Sequence, residues 1–251
     1  MMAAMSEWMA GEVLENRHWT PHVFSLRVAA PKLAFEAGQF VRIALDIDGE
    51  RVARPFSFVN PPGDPVQEYY GIVVPEGLLS PRLEKLRAGD TLHVATNPSG
   101  FLVLSEVPEA ENLWLLATGT GLAPFLSILR TEAPWLRFNR VVLLHAVRHA
   151  DELVYREEIA AIAARREGRL ACLTMLSRGS RAGSLEGRIP AAIRDGRLEA
   201  AAGVPLAAGR SQVMLCGNPG MLADAMAALA ERGMKKHRRR SPGQVTTEAF
   251  W

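Results

Sequence analysis

Apolar and polar residues alternate through the first hundred residues, and the alternation then gives way to solid apolar runs. Val23-Phe24-Ser25-Leu26-Arg27-Val28 and Gln39-Phe40-Val41-Arg42-Ile43-Ala44-Leu45 carry the two-residue period of half-buried strands. Tyr69 to Val74 and Thr91 to Ala95 are further short runs bounded by Gly, Pro or Asp. Asp48-Gly49 is a hairpin signal, because both residues tolerate the positive φ of a tight turn, and Gly89-Asp90 marks another turn. Short strands at this spacing predict a β-barrel or sandwich.

From about Pro108 the pattern changes. Leu113-Trp114-Leu115-Leu116-Ala117 and Val141-Val142-Leu143-Leu144-His145-Ala146 are continuous runs, as expected of strands buried on both faces. Leu170 to Leu176 and Gln212 to Cys216 continue the series. Between and after them, Pro124 to Arg130, Glu152 to Arg165 and Met221 to Arg232 have helical composition. Alternating strands and helices predict a mostly parallel sheet with right-handed crossovers. The chain therefore divides into residues 1–107, an antiparallel β-barrel, and residues 108–251, an α/β nucleotide-binding domain.

Composition narrows the chemistry. A hydrophobic fraction of 48% and a charged fraction of 22% suit a globular protein, and a net charge of +2 is too mild to imply nucleic acid. Cys172 and Cys216, the only two cysteines, cannot ligate an iron–sulfur cluster or a four-ligand zinc site by themselves, so no metal is expected. Two thiols fit a reducing compartment. Met1 to Trp8 lacks the features of a secretory signal, and no apolar stretch reaches the roughly 20 residues that span a bilayer. The reading is cytoplasmic, with no membrane span and nothing that demands more than a monomer. Charge is concentrated in one place, the run Lys235-Lys236-His237-Arg238-Arg239-Arg240.

Five segments carry candidate chemistry. Thr118-Gly119-Thr120-Gly121-Leu122-Ala123-Pro124 lies between a buried strand and a helix, where glycines let backbone amides approach a pyrophosphate. Such a turn also serves as a plain strand–helix connection, and its spacing is not the six-residue dinucleotide fingerprint. Arg54-Pro55-Phe56-Ser57-Phe58 offers a diphosphate clamp, a stacking ring and a hydroxyl, or else an exposed edge strand. Ser177-Arg178 and Arg188 arrive beyond the end of a buried strand, and arginine forks match a phosphate monoester, which separates NADPH from NADH. Cys216-Gly217-Asn218-Pro219 ends another apolar run, its thiol by default a small hydrophobe. The chain then ends Thr246-Thr247-Glu248-Ala249-Phe250-Trp251.

In this order the segments resemble the bacterial ferredoxin/flavodoxin–NADP reductases, from about Val13 to Trp251. Val74-Pro75-Glu76-Gly77-Leu78-Leu79-Ser80-Pro81-Arg82-Leu83 and His145-Ala146-Val147-Arg148 support the match. The resemblance implies FAD and NADP(H) as cofactors and a tail that returns to the flavin. It places Arg54, Pro55, Phe56, Ser57, Tyr70, Val74, Leu78, Leu79, Ser80 and Thr120 at the FAD. It places Arg148, Ser177, Arg178, Arg188, Asn218 and Asp224 at the NADP. Ser57, Cys216 and Glu248 would stand at hydride transfer, with Trp251 over one flavin face and obliged to move during turnover. Ferredoxin or flavodoxin would be the partner, docking near Lys235, Lys236, Arg238, Arg239 and Arg240. Other readings are a reductase serving an oxygenase or free flavin, and a non-catalytic FAD-binding sensor.

One departure has a consequence. The family's flavin motif usually has tyrosine where this chain has Phe56, which removes a hydroxyl contact. Phe56→Tyr is expected to bind FAD slightly more tightly than the wild-type protein in an equilibrium titration; equal or weaker binding would argue against that contact.

Overall fold

The computed structural model describes residues 7–250. Six strands, β1 (Trp8–Thr20), β2 (Val23–Ala29), β3 (Phe40–Ile47), β4 (Glu50–Ser57), β5 (Val66–Ile72) and β6 (Thr91–Ala95), form an antiparallel sheet in the order β4-β3-β6-β1-β2-β5. Asp48 and Gly49 make the predicted hairpin between β3 and β4, with φ of 52° and 85°. The sheet curls into a half-barrel around Val13, Phe24, Leu26, Val41, Ile43 and Val94. Its two end strands approach each other, and a bridge joins Phe58, just past β4, to Tyr69 in β5. A short helix α1 (Ser80–Leu83) follows β5.

The second sheet is parallel. It contains β7 (Asn112–Thr118), β8 (Arg140–Val147), β9 (Leu170–Leu176), β10 (Leu185–Glu186), β11 (Ser211–Gly217) and β12 (Val245–Ala249) in the order β10-β9-β8-β7-β11-β12. Helices α2 (Leu122–Leu129), α3 (Ala133–Arg137), α4 (Arg156–Ala164), α5 (Ile189–Arg194), α6 (Arg197–Ala202) and α7 (Pro219–Glu231) complete it. The runs of β7, β8 and β11 are buried on both faces, as their lack of alternation predicts. Leu113, Leu115 and Ala117 pack on one side, and Trp114 and Leu116 on the other. No helix among the described residues is long and apolar enough to cross a membrane.

Two expectations need correction. The helix predicted from Glu152 begins only at Arg156, because Leu153, Val154 and Tyr155 are buried and Tyr155 adopts a left-handed φ of 56°. Burial here overrides helical propensity. The run Leu170–Leu176, placed among the strands buried on both faces, is only partly buried as β9, with Cys172 exposed. The C-terminal segment forms strand β12, hydrogen-bonded along β11 from Val213↔Val245 to Gly217↔Ala249.

One hydrophobic cluster crosses between the two sheets. Val23, Val59, Tyr70, Leu102 and Leu104 from the first region pack with Leu113, Leu115, Phe125, Leu126 and Tyr155 from the second. Polar groups lock the same seam. The Tyr155 hydroxyl donates to Glu68 at 2.9 Å and contacts the Ser25 hydroxyl at 2.7 Å. Arg130 of the α2 C-terminus donates to the Val59 carbonyl at 2.8 Å, to Glu68 at 2.9 Å and to Glu158 at 2.7 Å. Glu68 is mostly buried, so removing its cation leaves a charge that water screens poorly. Arg130→Ala is therefore expected to cost about 3 kcal/mol in chemical denaturation; a loss below about 1 kcal/mol, the range of exposed ion pairs, would show the clamp to be peripheral.

Candidate functional site

The chain leaves β7 to build β8, β9 and β10 on one side, then returns to place β11 and β12 on the other. In an open α/β sheet such a reversal opens a crevice at the carboxyl ends of the strands. A cavity of about 460 Å³ lies there. Thr120, Arg148, Ser177, Arg188, Asn218 and Asp224 all line it. Six residues singled out from separate stretches of sequence thus share one pocket.

Local geometry explains its shape. Gly119–Gly121 is a single 3-10 turn leading into α2, and Gly119 has a φ of 52°, which favours glycine. A Cβ on Gly121 would collide with the Cys216 carbonyl, and one on Gly217 with Thr118 and Met221. Only glycine lets the β7 turn and the end of β11 come this close. Thr118 lines the same cavity, and its hydroxyl is buried without a hydrogen-bond partner among the described residues. Asn218 caps α7, its side-chain oxygen accepting from the Met221 amide at 2.9 Å, which leaves its amide nitrogen for a ligand. Ser177 and Arg178 extend the β8–β9 edge, with the Arg178 amide donating to the Arg148 carbonyl at 2.9 Å. The Arg148, Arg178 and Arg188 residues are exposed, and Arg178 does not line the cavity itself.

At the half-barrel, Arg54, Pro55, Phe56 and Ser57 occupy the end of β4, and Val74, Leu78, Leu79 and Ser80 the loop beyond β5. The Ser80 hydroxyl accepts from the Val74 amide at 2.9 Å and closes that loop. Arg54 is exposed, its guanidinium donating to its neighbour Ala53 at 2.7 Å. Ile72, Val74 and Leu78 leave large apolar side chains uncovered nearby in the chain. Leu79 points into the barrel core. Tyr70 is buried in the seam, edge-on to Tyr155 with ring centroids 5.6 Å apart, and lines neither this loop's surface nor the cavity.

Contacts connect the two regions. Ser57 is registered opposite Phe40, and Phe40 bridges Ser99. A Cβ on the next residue, Gly100, would lie 3.0 Å from the Glu248 carboxylate and 3.1 Å from the Phe40 ring. Glu248 on β12 stands beside Cys216 on β11. Burial pushes the Glu248 carboxyl up to about 7. Burial, reinforced by Glu248, holds the Cys216 thiol well above its ordinary value, so it is a neutral group in the core. A chain of contacts through Phe40 and Gly100 thus links Ser57 to Glu248 and Cys216, although none of the three lines the cavity.

Thr118 and Phe250, from two of the segments singled out in the sequence, also line the cavity, and so do Ile72 and Glu152, which were not foreseen. Ile72 comes from the half-barrel, so only the three-dimensional fold could place it there. Trp251 lies outside the described residues. The basic run is an ordered turn beside β12: the His237 amide donates to Val245 at 2.7 Å, and the Arg238 amide to Ser241 at 3.1 Å. Arg239 is engaged in an ion pair with Glu106, and its guanidinium lies 5.0 Å from the exposed Phe101 ring.

Two family models match, one described as an oxidoreductase FAD-binding domain over residues 15–102 and one as an oxidoreductase NAD-binding domain over residues 115–227. A flavodoxin/ferredoxin–NADP reductase of Shigella flexneri is 49% identical, covering 98% of this chain and 100% of that protein. The enzyme of the same name from Escherichia coli (strain K12) is 48% identical over the same shares. A crystal structure of a ferredoxin NADP+ reductase from Neisseria gonorrhoeae with bound FAD and NADP superposes with a TM-score of 0.93 at 30% identity, covering 98% of this chain and 100% of that one. Near-half identity along the full length, on the same two-sheet fold, makes this chain a member of the flavodoxin/ferredoxin–NADP reductase family.

Proposed function

We propose that FAD lies against β4 and the Val74–Ser80 loop, that NADP(H) fills the cavity at the ends of β7 and β11, and that hydride passes between them near Ser57, Cys216 and Glu248. The activity is that of the family: electrons move between NADPH and ferredoxin or flavodoxin. The observation that carries the reading is the cavity itself, which gathers six nucleotide-type residues and is bounded by Ile72 of the half-barrel and Phe250 of the tail.

The residues suit both cofactors. β4 and β5 are the end strands of their sheet, so each has a ladder partner on one side only, with Arg54 exposed on β4 and Ile72, Val74 and Leu78 uncovered at the end of β5 and in the loop beyond it. That is a surface for a flat ring with a charged tail. The glycine approaches at Gly121 and Gly217, with the unpartnered Thr118 hydroxyl, form a cradle for a second ligand. FAD, when bound, supplies the chemistry the protein lacks, taking two electrons together and passing them on singly. The chain binds and orients. Arg148, Arg178 and Arg188 hold phosphates, the last two at the 2′-phosphate. Ser57 offers a hydroxyl at the ring, and Glu248 holds or releases a proton near neutrality. Lys235, Lys236, Arg238 and Arg240 form a basic surface that attracts an acidic carrier, while Arg239, through Glu106, anchors the turn that presents them.

Anaerobic mixing with NADPH should bleach the yellow holoenzyme rapidly, and a slow or absent reaction would contradict the assignment. Arg178→Ala combined with Arg188→Ala should raise the KM for NADPH by about 100-fold, as two lost charged contacts imply, with a much smaller effect on NADH. Lys235→Glu with Lys236→Glu should slow reduction of ferredoxin or flavodoxin in a salt-dependent way and spare a small dye; equal loss with both acceptors would refute docking there. Glu248 gives a pH test. Folding raises its carboxyl from the ordinary 4.5 to about 7, so the native protein keeps a proton that the unfolded chain releases. Stability from this group therefore falls as pH rises from about 4.5 to 7 and is level above. Glu248→Gln should be more stable than wild type at pH 8 but not at pH 4; an equal difference at both would contradict the shift.

A further inference from the structure

His145 has no part in the chemistry described above, yet it stands in the core. It interrupts an otherwise apolar strand, with Val141 to Leu144 before it and Ala146 after, and it is 2% exposed. A leucine there would avoid the desolvation of two ring nitrogens, so the imidazole needs a compensating contact. That contact is the Gly119 carbonyl, 3.1 Å from Nε2. A carbonyl oxygen only accepts, so Nε2 carries the hydrogen and donates. Burial lowers the ring's pKa to about 4, so the donor is a neutral imidazole throughout the neutral range.

Gly119 is the first residue of the 3-10 turn at the cavity. Its φ of 52° is unusual, and no atom lies within 4 Å of where its Cβ would be, so the conformation is not forced by crowding. No side chain caps the turn. Gly119 and Thr120 both line the cavity. Their peptide bond is trans, so the Gly119 carbonyl and the Thr120 N–H point in opposite directions from one plane. That carbonyl also accepts from the Leu122 amide that closes the turn, and the His145 ring is its second donor, on the β8 side; the Thr120 amide faces the other way.

We propose that His145 is a positioning residue for nucleotide binding: by holding the Gly119 carbonyl in the core, it aims the Thr120 amide into the cavity at an acceptor oxygen of the dinucleotide. This rests on the assignment of that cavity to NADP(H). The imidazole does not touch the ligand. It is the second anchor on the peptide that does, beside the turn's own Leu122 amide, and so lowers the ligand's cost of ordering the turn.

The test compares His145→Leu, which removes the donor, with His145→Gln, whose amide nitrogen reaches about as far as Nε2. Each holoenzyme is titrated with NADP+ and assayed with NADPH and a dye. His145→Leu should weaken NADP+ binding about 10-fold, the effect of one lost hydrogen bond, with a matching rise in KM for NADPH and a smaller change in kcat. FAD content should be unchanged, and His145→Gln should restore most of the affinity. NADP+ affinity in His145→Leu equal to wild type, or the same loss in the Gln variant as in the Leu variant, would overturn the proposal. The wild-type protein offers a measurement independent of the variants' folding: NADP+ should slow hydrogen exchange at the Thr120 amide, and unchanged exchange with NADP+ bound would overturn it too. Failure of the wild-type protein to bind NADP+ at all would remove the cavity assignment and this inference together, whereas equal binding by wild type and His145→Leu removes only the role of His145.

Discussion

The site exists because two sheets share one seam. Leu113, Leu115 and Ala117 of the central strand are packed on one face against a cluster that contains Val23, Val59, Tyr70 and Leu102 of the half-barrel. Burial of that size is not broken by the small energies of ligand exchange. Arg130, Glu68, Tyr155 and Ser25 add direction to a contact that is otherwise non-directional, since each hydrogen bond is satisfied at one relative placement of the sheets. Hydride transfer requires two rings at van der Waals distance, and the shared seam holds the half-barrel and the parallel sheet, the two walls of the proposed site, in one relative placement.

Given the seam, the rest is local. The strand order reverses at β7, the crevice opens at its carboxyl end, and glycines at 121 and 217 bring two strand ends together. The tail contributes because β12 pairs with β11, which carries Glu248 to Cys216 and Phe250 to the cavity. Gly100 of the first region then meets Glu248. At 121 and 217 a Cβ would collide, and at Gly100 it would sit tightly, 3.0 Å from Glu248, on a backbone whose φ of 115° favours glycine.

Much of this was legible in the residue pattern. The strand periods separated an alternating sheet from one buried on both faces, because water on one face leaves a polar imprint and burial on both leaves none. The hairpin at Asp48-Gly49 was legible because few residue pairs tolerate its backbone angles. What could not be read was set by contacts distant in sequence. Tyr155 breaks the predicted helix because its ring and hydroxyl are used by the other sheet. β12 was not foreseen as a strand because its five residues become one only beside β11. Arg239 read as one cation of a docking run, and its contacts with Glu106 and Phe101, more than a hundred residues earlier, appear only in the fold. Ordered motifs supplied the cofactors; the fold supplied the walls.

The central claim is that the two sheets behave as one body. Thermal unfolding of the holoenzyme, followed in parallel by calorimetry, flavin fluorescence and near-ultraviolet circular dichroism, tests it directly. A shared seam predicts one cooperative transition, with coincident midpoints and equal calorimetric and van't Hoff enthalpies. Two separated transitions, with flavin released while the parallel sheet remains folded, would contradict it.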